Sequence, residues 1–261
     1  MPTRAERKVW RSLRRRKGRD ETGWFLAEGP RLLEEVLAAG GPVEAVLCES
    51  DADSGVVDLL ERARGSGHRV ETVERRVIEE IADTVTPLGP LTVAAIPRWT
   101  WDDVPPGPLL LLDGVQDPGN VGALARTAVA LGAAGAIALD ATADPWSPKA
   151  VRAGAGSGLR RPVFRADTRS AIAELGRRQV PIWVATPGGE PLERGERGPS
   201  RLALALGSEA HGVSAEIRRA AARAVAVRMP GGMESLNVAA AGAILLDRIL
   251  GGDGEDEERR R

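Results

Sequence analysis

Residues Arg228-Met-Pro-Gly-Gly-Met-Glu-Ser-Leu-Asn-Val-Ala-Ala-Ala-Gly-Ala-Ile-Leu-Leu246 decide how the chain is read. The apolar run 224–227 before them has the composition of a short strand, and the Pro-Gly-Gly turn at 230–232 breaks it. Ser235 then stands where an N-cap would open a helix over 236–250 that is apolar almost all round, which predicts a largely buried helix. Its start nevertheless carries Ser235 and Asn237, and a buried polar group without a partner costs about 1–3 kcal/mol. Open glycine N–H groups, a helix N-terminus and two hydrogen-bonding side chains together describe a ligand cradle. An N-cap beside a satisfied core Asn would use the same residues.

Two stretches upstream repeat the pattern. Leu111-Leu-Asp-Gly-Val-Gln-Asp-Pro-Gly-Asn-Val-Gly-Ala-Leu-Ala-Arg-Thr-Ala128 is again a strand, a Gly/Pro turn and a helix, with Asn120, Gly122 and Arg126 at its start. The strand over 202–206 runs into Gly207-Ser-Glu-Ala-His-Gly212. The three stretches, with N-x-G-x-x-x-R, G-x-E-x-x-G and S-L-N-V in this order, resemble the three motifs of the SpoU (TrmH) RNA ribose 2′-O-methyltransferases of the SPOUT superfamily. One departure is that the family has Ile-Pro-Met ahead of the glycine loop where this chain has Val227-Arg-Met-Pro230, which puts Arg228 at the family's proline.

At 261 residues the chain can build one large or two modest domains. A net charge of −1 provides no bulk polycation, so any nucleic-acid binding must come from local patches. Cys48 is the single cysteine, which excludes an internal disulfide and a cysteine metal cluster and fits a reducing cytoplasm. No signal segment and no run of 18 apolar residues is present, so a soluble cytoplasmic protein is expected. Neither a P-loop nor a zinc signature occurs, and no metal is expected.

Between Arg4 and Arg19 nine basic residues face one acid, Glu6. On helical spacing Arg4, Arg7, Arg11 and Arg14 share one face and Val9 and Leu13 another, so the segment can dock by its apolar side and present a basic stripe. A solvated charged face is the competing interpretation. Strands are expected at 24–27, 43–48, 69–73 and 91–96 with helices between, which argues for a small α/β domain over 1–97 with a largely parallel sheet. Residues 98–108, rich in proline and holding Trp99 and Trp101, read as a linker whose tryptophans pack against a domain surface, with stacking on bases as the alternative. From 109 to 251 the alternation resumes with six strands and five helices, a doubly wound α/β domain; 252–261 read as a disordered tail.

The resemblance implies more than periodicity does. It makes 109–251 a methyltransferase domain with a deep trefoil knot and 1–97 an RNA-binding domain, with Arg7, Arg11, Arg14, Arg16 and Arg19 as RNA contacts. S-adenosylmethionine would touch Gly207, Val227 and Leu236, largely through backbone groups, and the active enzyme would be a homodimer. The catalytic set implied is Asn120, Arg126, Glu209, Ser235 and Asn237. A guanidinium is protonated at any ordinary pH, so Arg126 suits phosphate binding and oxyanion stabilisation better than a general-base role. The expected activity is methyl transfer to a ribose 2′-hydroxyl of 23S ribosomal RNA; transfer RNA is the alternative substrate, and a non-catalytic RNA-binding or assembly factor the alternative from another class.

Overall fold

The computed structural model describes residues 1–251 except 51, 52, 88, 194, 195, 197 and 234, so the expected tail at 252–261 lies outside the described residues. The first half runs α1 (Arg4–Ser12), α2 (Arg16–Thr22), β1 (Trp24–Glu28), α3 (Pro30–Ala39), β2 (Val43–Cys48), α4 (Ser54–Gly65), β3 (Val70–Thr72), α5 (Arg75–Ile81) and β4 (Leu91–Ala95). After a short 3-10 turn at Trp101–Asp103 come β5 (Leu109–Asp113), α6 (Pro118–Ala130), β6 (Gly135–Ala138), α7 (Pro148–Gly154), α8 (Ser157–Arg160) and β7 (Val163–Arg165). The chain finishes with α9 (Thr168–Arg177), β8 (Ile182–Pro191), β9 (Ala203–Gly207), α10 (Ala215–Ala220), β10 (Ala221–Ala226) and α11 (Val238–Leu250). Among the described residues no helix is long and apolar enough to cross a membrane.

The N-terminal sheet has the order β1-β4-β2-β3, and only β2 and β3 pair in parallel. This corrects the expected largely parallel sheet. After α5 the nine residues 82–90, with Pro87, Gly89 and Pro90, carry the chain to the end of β1, where Leu91 pairs opposite Glu28. β4 therefore enters between β1 and β2 antiparallel to both. Leu91 and Val93 face a core containing Trp10, Leu13, Val77 and Ile78, whereas Ala94 faces one that includes Phe25, Trp146 and Val151.

The second sheet is parallel throughout, with the order β10-β8-β9-β5-β6-β7. Its central strands β5 and β9 are buried at every residue, as strands covered on both faces must be. Their alternate residues divide between two cores. Leu110, Leu112, Leu204 and Leu206 pack with Leu124 of α6 and Leu245 and Leu246 of α11, while Leu109, Leu111, Ala203 and Ala205 pack with Leu175 of α9 and Ile217 of α10.

Two helix starts matter for the site, and the second differs from expectation. α6 opens at Pro118 with Asp117 as its N-cap, whose Oδ1 accepts from the N–H groups of Gly119 (2.6 Å) and Asn120 (3.1 Å), so Asn120 lies in the first turn. α11 opens at Val238 with Asn237, not Ser235, as its cap; Asn237 Oδ1 accepts from Ala239 N (2.9 Å) and Ala240 N (3.3 Å). Nor is α11 buried all round. Val238, Gly242, Leu245, Leu246 and Ile249 form its buried stripe, while Ala240 and Asp247 are exposed and Ile244 and Leu250 half-buried.

Candidate active site

The site lies at the carboxyl ends of the central parallel strands, where open α/β sheets bind ligands. At the end of β9 the chain doubles back: Ser208 N donates to Gly212 O (3.1 Å) and Gly212 N to Ser208 O (2.9 Å), closing a tight loop. His211 N donates into this loop, to Ser208 Oγ at 3.1 Å. A Cβ on Gly207 would overlap the Gly212 carbonyl and Val213 N, so only glycine admits that close approach. From the adjacent strand, the buried Asp113 accepts from Ser214 N at 2.6 Å and pins the far end of the loop.

Residues 185–187, 206–213, and, from the last stretch, 225–227, 229 and 235–238 wall one cavity of about 510 Å³. That size falls within the range of small-molecule sites. Gly207, Val227 and Leu236, expected to hold a cofactor, all line it, together with Glu209, Ser235 and Asn237. Leu206, Val225 and Leu245 add an apolar wall.

Asn120 Nδ2 donates to Glu209 Oε1 at 2.7 Å, and Asn237 Nδ2 to Asn120 Oδ1 at 3.4 Å. Asn120 thus links Glu209 and Asn237, so that one residue from each of the three sequence stretches is tied into one chain of hydrogen bonds. Glu209 is engaged by Asn120 rather than by Arg126. Arg126 itself is exposed on α6, outside the cavity lining, and among the described residues makes no hydrogen bond or ion pair. Ser235 is exposed beside Leu236 and Asn237.

Sequence reasoning passed over the support beneath Asn120. Lys149 Nζ donates to Asp117 Oδ2 at 2.8 Å. That hydrogen bond, with those from the Asn120 and Gly119 amides, holds the Asp117 carboxyl below the usual carboxylate range. An Asp immediately before Pro-Gly is a legible cap signal; nothing in the sequence marks Lys149 as its partner.

The N-terminal arginines are distributed differently from the expected stripe. α1 docks through Trp10 and Leu13, and Val9 stays exposed. Arg14 donates to the Ile81, Glu79 and Glu80 carbonyls at the end of α5, and Arg7 to Glu80 Oε2 at 3.1 Å. Arg19, expected at an RNA surface, is 3% exposed: its Nε and Nη2 donate to Asp144 Oδ2 (2.8 and 2.6 Å) and its Nη1 to Leu13 O (2.6 Å). A guanidinium so enclosed cannot reach a phosphate. Arg11 and Arg16 remain exposed.

Residues 108–247, which carry all of these loops, match the model of the SpoU rRNA Methylase family. The chain belongs to the SpoU rRNA methylase family. Residues 6–92 match a second model, the MRM3-like substrate binding domain. Among the family's members, the Bacillus subtilis 23S rRNA (guanosine(2553)-2′-O)-methyltransferase RlmP is 32% identical over 245 residues, covering 94% of this chain and 95% of its own. The SpoU methyltransferase AviRb of Streptomyces viridochromogenes, solved in complex with AdoMet, superposes with a TM-score of 0.85 at 25% identity, over 95% of this chain and 97% of its own. An AdoMet-bound rRNA methyltransferase from Sinorhizobium meliloti gives 0.80 at 28% identity, with 95% of each chain covered.

Proposed function

We propose that this SpoU-family protein transfers a methyl group from S-adenosylmethionine to a ribose 2′-hydroxyl of 23S ribosomal RNA in the cytoplasm. The observation that carries the reading is the meeting of Asn120, Glu209 and Asn237 at the rim of a cavity lined by Gly207, Val227 and Leu236. The cavity fits the cofactor in size and in having an apolar wall beside the Gly207–Gly212 loop. S-adenosylmethionine, when bound, supplies an electrophilic methyl carbon on a sulfonium. In-line attack on it needs positioning more than acid–base machinery.

The chain's own residues supply that positioning. Asp117 fixes the first turn of α6 and with it Asn120; Asn120 and Glu209 hold each other; Asn237 caps α11 and reaches Asn120. Arg126, unpaired among the described residues, is the permanent cation available to bind the target phosphate and to stabilise charge growing on the ribose oxygen. Because Arg126 lies outside the cavity lining, the reading includes a homodimer in which two copies complete the site. It also includes the trefoil knot, in support of which three separated segments wall one cavity, and a division into an RNA-binding domain (1–97), a linker (98–108) and a methyltransferase domain (109–251).

The ribosomal RNA substrate of the Bacillus subtilis relative supports ribosomal RNA over transfer RNA. The test incubates the purified protein with radiolabelled S-adenosylmethionine and RNA from a deletion strain, then maps alkali-resistant linkages, since a 2′-O-methyl group removes the nucleophile of alkaline cleavage. One resistant position in 23S RNA is expected. Label confined to transfer RNA, or no label with cofactor binding absent by calorimetry, would sink the proposal.

A further inference from the structure

Among the described residues lining the 510 Å³ cavity, Arg218 is the only lysine or arginine. Its backbone is well fixed. Ser214, held by Asp113, caps α10 by accepting from Ile217 N at 3.3 Å, and Ile217 is fully buried in the core shared with α9. The guanidinium therefore leaves α10 beside the Gly207–Gly212 loop, where Nη2 donates to Val213 O over a long 3.4 Å. That same nitrogen lies 4.0 Å from where a Cβ of Gly212 would sit.

The remaining donors of this fork have no anionic partner among the described residues. The contrast with Arg223 is direct, since Arg223 is paired with both Glu190 and Glu196. A guanidinium presents five N–H donors in a planar fork matched to a carboxylate. The cavity's one described acid, Glu209, is already engaged by Asn120.

We infer that Arg218 binds the α-carboxylate at the amino-acid end of the methyl donor, an inference that rests on the S-adenosylmethionine reading above. The donor carries two cationic groups, the sulfonium and the α-ammonium, and a single anion, so a lone cation in the wall selects which end of the molecule it meets. The apolar wall of Leu206, Val225, Val227 and Leu245 is left for the uncharged part. Arg218 is thus a specificity residue for amino-acid-bearing nucleosides.

Titration calorimetry on the full chain tests this with two nucleosides. S-adenosylhomocysteine keeps the carboxylate; 5′-methylthioadenosine lacks the whole amino-acid group. Arg218→Gln should weaken S-adenosylhomocysteine by about tenfold and leave 5′-methylthioadenosine within about twofold, and Arg218→Lys should recover part of the loss. The second ligand also reports that the variant pocket is folded. If the Gln variant weakens both ligands equally, or neither, Arg218 does not read the carboxylate and the inference fails alone. If the wild-type protein binds neither nucleoside, the cofactor reading falls and takes this inference with it.

Discussion

Arg126 and Asp117 illustrate two ways a side chain can serve a site from one helix. Arg126 is exposed and unpaired among the described residues, so it has no structural duty that its loss would expose. Arg126→Ala should cut single-turnover methylation by at least about 10²-fold. Arg126→Lys should retain part of the activity, because charge survives although the planar fork is lost. Cofactor affinity and the thermal midpoint should stay at wild-type values in both, which separates transition-state loss from unfolding. Near-normal turnover by both with RNA saturating would remove Arg126 from the mechanism. Asp117 acts underneath, through its cap on Gly119 and Asn120 and its contact with Lys149. Asp117→Ala should lower the urea midpoint more than Lys149→Ala does, since only the former removes the cap; the reverse order would show that the ion pair, not the cap, holds the turn. The residues proposed to carry the chemistry could be picked out because each sits in a short motif. Asp117–Lys149 and Arg218 could not, because Lys149 lies 32 residues from Asp117 and Arg218 is brought to the cavity only by the packing of α10 through Ile217.

At the scale of elements, the parallel strands could be read from runs such as Leu109–Asp113, whose continuous apolarity matches burial on both faces. The direction of β4 could not, because it depends on where the loop 82–90 delivers the chain rather than on any local pattern. The start of α11 was ambiguous for a local reason: Ser235 and Asn237 are both capping types two residues apart, and the choice falls to Asn237, which also reaches Asn120. Close packing decides the next prediction. A Cβ on Gly242 would run into Leu124 of α6 and Leu206 of β9, so Gly242→Ala should cost about 1–3 kcal/mol despite its better helix propensity. A gain in stability by denaturant melt would show that the two leucines move aside freely. α1 gives a prediction in pH. Glu6 closes a capping box with Thr3 and meets Arg69, and the Arg69 hydrogen bond, with those from Thr3, lowers its pKa from 4.5 to about 2. A carboxyl whose pKa falls on folding adds stability that is full above its unfolded value and lost as pH drops through the folded one. The stability difference between wild type and Glu6→Gln, which keeps the box but not the charge, should thus be constant above pH 4.5 and fade toward pH 2. A difference that persists at pH 2 would mean the charge is not its source.

Over the whole molecule, α7 and α8 join the two sheets. Phe25 stacks tilted on Trp146 with ring centroids 4.9 Å apart, Trp99 Nε1 donates to Gly158 O, Arg152 bridges to Glu28 and Asp83, and Arg160 to Glu35. At the centre of this junction is the buried Arg19–Asp144 pair. Arg19→Met strands a buried carboxylate and should cost about 3–5 kcal/mol, whereas Arg19→Met with Asp144→Asn, which keeps the acceptor for Trp146 N, should recover much of it. Equal losses would locate the cost in packing instead. This coupling also means that deleting residues 1–19 would strip Trp10 and Leu13 from the core, so RNA contact is better tested by charge removal at exposed Arg11, Arg15 and Arg16. Losing phosphate contacts there should flatten the salt dependence of RNA binding by up to about one unit of log–log slope per contact; an unchanged slope would make these side chains a solvated face. The last inference at this scale concerns copy number. α11 leaves Ala240 exposed and Ile244, one turn further on, only half-buried, an apolar face left open among the described residues, and Arg126 stands outside the cavity that it is proposed to serve. A second copy seated on α11 would cover the first and complete the second. Sedimentation at micromolar concentration should therefore show a dimer, and Ile244→Glu should shift it toward monomer and reduce methylation while the thermal midpoint of each protomer's core changes little. A wild-type monomer with full activity would refute the shared site.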